Sequence, residues 1–249
     1  MERYIYKIID NNINQLNITI PNDNFHIYMS AIKINKSLIK IGIFNSKIKN
    51  VSLIINIIKN KKFIKSLNLS ENLIEDLTPF YNFFQVNTTI TNLKLNYNKI
   101  MDLSPLAELL KNNNTIKILS LEGNKIKNID LLLKSLKYNN TLKKIYLSNN
   151  NISNINTINE LLDNNKSLIK IDLSSNNITN INPLAQSLKN NKTLQILLLN
   201  YNKIQNINSL IETLDFNSSL QTLDLLGNQI DDKQKHLIHK YDNNIFITI

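Results

Sequence analysis

The pattern Leu-x-x-Leu-x-Leu-x-x-Asn-x-Ile returns every 26 residues along most of this chain. A pattern held in one register over many copies means that one small unit is built repeatedly and stacked on itself. Full copies begin at Ile64, Ile90, Ile116, Leu142, Leu168, Leu194 and Leu220. An eighth begins at Leu38 and keeps Ile41, Ile43 and Ile48 in register, with Ser46 in place of the asparagine. Positions within a unit are counted from these first residues.

Positions 4 and 6 alternate as in a short strand with one buried face. The asparagine at position 9 (Asn72, Asn98, Asn124, Asn150, Asn176, Asn202 and Asn228) carries both donors and an acceptor. It suits turn backbone that faces the interior, so stacked copies are expected to form a structural ladder. The second half of a unit has helical spacing: Ile181, Leu184, Ala185 and Leu188 fall at i, i+3, i+4 and i+7. Position 15 holds Ser52, Thr78, Ser104, Asp130, Asn156, Asn182 or Asn208, all residues favoured as helix N-caps. Pro79, Pro105 and Pro183 follow, as first-turn prolines do. The helices should end near Asn87, Asn113, Asn139, Asn165, Asn191 and Asn217, with asparagine in the left-handed C-cap role usually given to glycine.

The wording Leu-Lys-Asn-Asn-x-Thr-Leu-x-x-Leu-x-Leu-x-x-Asn-x-Ile, seen from Leu188 to Ile204, resembles the ribonuclease-inhibitor-like leucine-rich repeats, including those of NOD-like receptors. The resemblance covers roughly residues 38–249. It implies an α/β fold, a leucine-rich-repeat solenoid: a curved arc with a parallel β-sheet on its concave side and short helices on its convex side. It also implies a habit of binding proteins without naming a partner. Residues 1–37 read as an N-terminal capping repeat, with Ile13, Leu16 and Ile18 at strand positions and a helix over 25–32. Residues 38–230 are the eight repeats, and 231–249 a C-terminal cap. Continuing the register places Phe246 at position 1 and Ile249 at position 4 of a partial unit. That apolar edge strand is either shielded by a helix over 233–241 or paired end to end in a two-fold dimer; a monomer is favoured.

Composition narrows the function. Cysteine is absent, and 42% apolar residues argue against disorder. No apolar run reaches membrane-span length, and the first residues lack a signal-peptide core. The expectation is a protein in the cytoplasm, without membrane contact. The net charge of +10 is almost all lysine, and about a fifth of the residues are asparagine. Asn, Ile and Lys share A/T-rich codons, which suggests a viral or microbial factor working in the host cytoplasm. A lysine-rich nucleic-acid-binding solenoid is the alternative, and the less favoured one. No enzyme is expected: without cysteine there is no Cys–His nucleophile, and no Gly-rich phosphate loop occurs. His236 and His239 share a helix face near Asp231 and Asp232 but read as solvated, so neither metal nor cofactor is expected. Arg3 sits in the cap, away from any repeat loop that could make it an arginine finger. The tripeptides starting at Asn87, Asn113, Asn139, Asn165 and Asn191 match the N-glycosylation pattern, but read as a by-product of the repeat.

Binding is expected on the concave face, where residues flanking the buried strand leucines point. Tyr146 among Lys94, Lys144 and Lys170, beside Asp172, suits an acidic protein partner. Farther along, Ile196, Leu198, Tyr201 and Leu226 form an apolar patch, with Tyr97 at the position matching Tyr201.

Overall fold

A computed structural model describes residues 2–21, 24–241 and 244–249, and the side chains of residues 2–4, Arg3 among them, lie outside what it describes. Ten strands form a single parallel sheet in chain order. They are β1 (Gln15–Thr19), β2 (Lys40–Phe44), β3 (Ser66–Asn68), β4 (Asn92–Lys94) and β5 (Ile118–Ser120), then β6 (Lys144–Tyr146), β7 (Lys170–Asp172), β8 (Ile196–Leu198), β9 (Thr222–Asp224) and β10 (Phe246–Thr248). Helices alternate with them: α1 (Glu2–Ile9), α2 (Phe25–Ile34), α3 (Ser52–Ile58), α4 (Thr78–Val86) and α5 (Ser104–Asn112), then α6 (Asp130–Leu136), α7 (Ile158–Asn164), α8 (Asn182–Leu188), α9 (Asn208–Leu214) and α10 (Asp232–Ile238). This is a leucine-rich-repeat solenoid. From β2 to β9 every pairing joins residues 26 apart, as Lys144↔Lys170 and Ile145↔Ile171 do.

The core is a continuous column between sheet and helices. In the unit starting at Leu142, eight side chains (Leu142, Ile145, Leu147, Ile152, Ile155, Ile158, Leu161 and Leu162) are at most 1% exposed. Each such burial contributes about 1.5–3 kcal/mol. No unit could bury this face alone, which is why the stack is the folding entity.

Buried asparagines join unit to unit. Asn150 Nδ2 donates to its own turn at Leu147 O (3.1 Å) and Ser148 O (3.0 Å), and to Leu121 O of the preceding unit (3.0 Å). Its Oδ1 accepts Ile126 N–H, also in the preceding unit, at 3.1 Å. Asn98, Asn124, Asn176 and Asn202 make the same bonds. Asn72 reaches Ile43 O across the gap, and Asn228 reaches Leu199 O. Ser46 does part of this work, donating to Phe44 O and accepting Ile20 N–H at 2.8 Å.

Three details differ from what the sequence leads one to expect. The residues at position 15 are not N-caps. Six of them begin the helices, and the preceding residues Val51, Leu77, Leu103, Ile129, Ile181 and Ile207 are apolar and make no side-chain cap bond; Asn156 lies two residues before α7, which starts at Ile158 after Thr157. The cap is instead an Asx turn two residues upstream, in which Asn50, Asp76, Asp102, Asn128, Asn154, Asn180 or Asn206 accepts the position-15 N–H at 2.8–3.0 Å. Apolar burial of the residue between leaves the short polar side chain outside it to hold the turn.

Nor do the asparagines at position 24 adopt a left-handed backbone. Asn87, Asn113 and Asn165 are extended, with φ from −86° to −73°. From Asn139 to Asn217 they form a second inter-unit column. Asn139 Oδ1 accepts Thr141 N–H and Leu142 N–H, while its Nδ2 donates to Leu110 O and Asn113 O of the preceding unit. Five of these are the glycosylation-like asparagines, and all are at most 7% exposed, so their side chains are turned into the fold. Lys61 takes the equivalent place in the unit starting at Leu38. Its Nζ reaches Asn35 O, the carbonyl an asparagine there would use, but an ammonium has no acceptor for the following N–H groups.

The third difference is the last strand. Phe246 pairs with Thr222 and Ile247 with Leu223, a 24-residue step, so Phe246 stands at position 3 rather than 1. Its ring is exposed while Ile247 packs on the core. At the other end, α1 is an element the repeat pattern does not announce; it packs on α2.

Replacing Asn150 with Ala should strand the Ile126 N–H and the carbonyls at Leu121 and Leu147, costing about 1–3 kcal/mol in denaturant unfolding; an unchanged midpoint would contradict the ladder. Lys61→Asn should give the Phe63 and Ile64 N–H groups the acceptor that Asn139 gives Thr141 and Leu142, and raise stability by about 1 kcal/mol. A loss on the same measurement would show that the ammonium is the better ligand for Asn35 O.

Candidate functional site on the concave face

Positions 3 and 5 of each strand project from the sheet away from the core, and parallel pairing sets them in two rows. Tyr146 lies between Ser120 and Asp172 in one row, and Lys144 between Ile118 and Lys170 in the other. Lys170 Nζ sits 4.9 Å from the centre of the Tyr146 ring, so a cation rests on the aromatic face. Partial burial first, and the Asp172 carboxylate second, raise the Tyr146 pKa above its ordinary value, so its hydroxyl stays protonated and able to donate. Lys94 lies two strands away, on β4.

Asp172 is less available than its column suggests. It is 8% exposed, and its Oδ1 accepts both the N–H and the Oγ–H of Ser174, as Asn68 does for Ser70 in its own unit. An acceptor at position 5 shapes the turn that follows the strand.

Tyr97 and Tyr201 stand outside the strand rows. Both occupy position 8, within the turn that follows the strand, where φ is positive in every unit: Asn45, Glu71, Tyr97, Gly123, Asn149, Ser175, Tyr201 and Gly227. Only two of these are glycine, so six units hold a side chain in a conformation that favours glycine. Each tyrosine is followed one unit later by one of those glycines. A Cβ on Gly123 would stand 2.3 Å from the Tyr97 ring, and one on Gly227 2.5 Å from the Tyr201 ring. The rings therefore lie over the next turn. Tyr97 also donates to Glu122 Oε1 at 2.7 Å, the main reason its pKa is raised.

Ile196 and Leu198 on β8 are half-buried, while Leu226 and Tyr201 are exposed and adjacent, Tyr201 N–H donating to Leu226 O. Beneath them Asn200 Oδ1 is buried without a hydrogen-bond partner. The equivalent Asn96 Oδ1 accepts Glu122 N–H, but here the corresponding Leu226 N–H goes to Asp224 Oδ1 instead.

The first rows of the sheet hold more positive charge than the strand residues alone indicate. Lys65, Lys117 and Lys143 at position 2 stand beside Lys40, Lys144 and Lys170 at position 3, and no carboxylate occurs at either position from β2 to β9. Aligning position 2 as a column would have revealed these lysines. Away from this face, an open groove of about 520 Å³ lies between α3 and α4 on the convex side. Among the described residues no group of three His, Cys, Asp or Glu could hold a metal, and no helix is long and apolar enough to cross a membrane.

Gly227→Ala should destabilise by about 1–3 kcal/mol, through its backbone conformation and its collision with Tyr201. Adding Tyr201→Asn should recover part of that loss; a double variant no more stable than the single one would show that the ring does not depend on the glycine.

The chain resembles known leucine-rich repeat proteins. The Leucine Rich repeat family matches residues 138–155, 164–181 and 216–233. No curated protein matches the chain in sequence. Among solved structures, internalin C2 of Listeria monocytogenes is 26% identical over 88% of this chain and 83% of its own, with a TM-score of 0.60. A leucine-rich repeat protein of Leptospira interrogans is 23% identical over 97% of this chain, with a TM-score of 0.64; this chain spans 56% of it. A further internalin from Listeria monocytogenes is 18% identical, with 98% and 81% covered and a TM-score of 0.51. At these identities the last two speak to the fold alone.

Proposed function

We propose that this leucine-rich repeat protein is a non-enzymatic scaffold that binds a protein partner on its concave face. The observation that carries this reading is the centre of the sheet, where Tyr146 lies under Lys170 Nζ at 4.9 Å and beside Lys144, on a surface whose first rows lack carboxylates. Tyrosine with cations offers a large, rigid contact area and favours an acidic partner. Ile196, Leu198, Tyr201 and Leu226 supply a second, apolar contact two to three units farther on. Helices of seven to nine residues in the repeats support the ribonuclease-inhibitor-like subtype within this reading, and the 26-residue unit is slightly shorter than is usual in that subtype. A viral or microbial origin, with action in a host cytoplasm, rests only on the Asn, Ile and Lys bias. Asp172 and Asn150 hold the face in shape rather than touch the partner.

Tyr146→Ala combined with Lys144→Glu should weaken a partner captured by the wild type at least about tenfold, as loss of a central anchor does, with unchanged circular dichroism. A Glu160→Ala variant on the convex side should bind as wild type. Equal binding by the concave variant and the wild type would sink the proposal.

A further inference from the structure

Nearly all of the net charge lies on one edge of the solenoid. That edge consists of the segments joining each helix to the next strand, positions 22 to 26 and then 1 and 2, from Leu38 to Gln221. They carry eleven lysines against two carboxylates, Asp163 and Asp215, a surplus of nine where the whole chain has +10. The opposite edge, positions 7 to 13, carries six lysines and seven carboxylates. Such segregation does not follow from base composition, which acts on every column alike.

Helix termini account for part of it. Lys59, Lys111, Lys137 and Lys189 follow or close the last helical turns, where the dipole favours a cation. Lys65, Lys117 and Lys143 lie at the strand starts instead, and Lys61, Lys62, Lys166 and Lys192 in the loops, beyond that explanation. None of the eleven is buried. Asp215 is already engaged, accepting from Tyr241 Oη–H at 2.7 Å and lying 3.5 Å from Lys240 Nζ.

Large apolar side chains stand on the same edge. Phe63, Val86, Tyr138 and Phe216 are 64%, 66%, 72% and 57% exposed. Lys137 Nζ lies 5.2 Å from the Tyr138 ring centre and Lys189 Nζ 4.2 Å from that of Phe216. The three rings are three units apart, at least about 14 Å at the spacing of neighbouring strands. That is too far for successive bases of a single strand to stack on them. The edge also lacks arginine, the side chain that forks onto phosphate. Loops of successive units lie side by side, so lysines and apolar tips face one way along the length of the stack.

We propose that this edge is a docking surface for an anionic lipid bilayer. The lysines meet the headgroups, and Phe63, Val86, Tyr138 and Phe216 enter the interfacial layer. A peripheral contact of this kind needs no membrane-spanning helix, which is why hydropathy does not report it. It leaves the strand rows at positions 3 and 5 open, and the lysines at position 2 border both surfaces.

The full chain would be sedimented with vesicles of phosphatidylcholine containing about a third phosphatidylserine, and with phosphatidylcholine alone. Binding should require the anionic lipid and weaken as salt is added. Lys62→Glu, Lys117→Glu and Lys166→Glu together should lower it at least about tenfold. Lys99→Glu, Lys125→Glu and Lys203→Glu, the same charge change on the opposite edge, should lower it far less. Tyr138→Ser with Phe216→Ser should weaken binding without any change in charge. Circular dichroism would establish that each variant is folded. Equal losses from the two lysine sets, equal binding to neutral vesicles, or binding of poly(U) in place of vesicles would overturn the proposal.

Discussion

Stacked short strands and helices leave a turn in every unit whose carbonyl and amide groups face the interior, and the rest of the structure depends on how those groups are satisfied. A buried backbone group without a partner costs about as much as a lost hydrogen bond. Here one side chain per unit settles the problem on both sides of a junction. Asn150 closes its own turn and at the same time binds Leu121 O and Ile126 N–H of the preceding unit. Because the bonds cross the junction, they specify the register as well as stabilise it: a unit displaced by one residue would lose all of them. The second column at position 24 does the same at the other end of the helix.

The same economy explains where side chains are free to serve a function. Positions 1, 4, 6, 9, 11 and 24 are committed to core or columns, and position 13 to the helix start. What remains is the concave rows, the left-handed residue at position 8 and the two edges. Variation is concentrated there, from Ser120 to Tyr146 to Leu198 in one row. The proposed contacts, the Tyr146 cluster and the lysine edge apart from Lys61 at position 24, are drawn from these uncommitted positions.

Much of this was legible in the sequence because the period is so regular. Strand register, core face and helix placement all follow from counting 26. The features that escaped are those in which one residue type serves two geometries. Asparagine at position 24 reads equally well as a left-handed cap or as an extended residue bonded across the junction, and only burial separates the two. Position 15 holds good N-cap residues, yet position 13 holds equally good ones, and the apolar position 14 between them decides which side chain turns back. The strained residues at position 8 were invisible because glycine marks only two of them. For the concave site, column alignment reveals Tyr146 and its lysines but not that Asp172 is occupied by Ser174, a contact within the turn that alternation cannot anticipate.

The claim that buried inter-unit asparagine bonds hold the stack together is tested most directly by native-state hydrogen exchange on the wild-type protein. Two sets of amides are each bonded to a side chain two or more residues away. Ile74, Ile100, Ile126, Ile152 and Ile178 donate to a buried asparagine of the following unit. Ser104, Asp130 and Asn182 donate to an exposed Asx side chain of their own unit. The first set should open only with the stack and exchange on the order of a hundredfold more slowly than the second. Equal rates for the two sets would mean that the junction bonds open locally, and the asparagine columns would then be ornaments of the fold rather than its fastening.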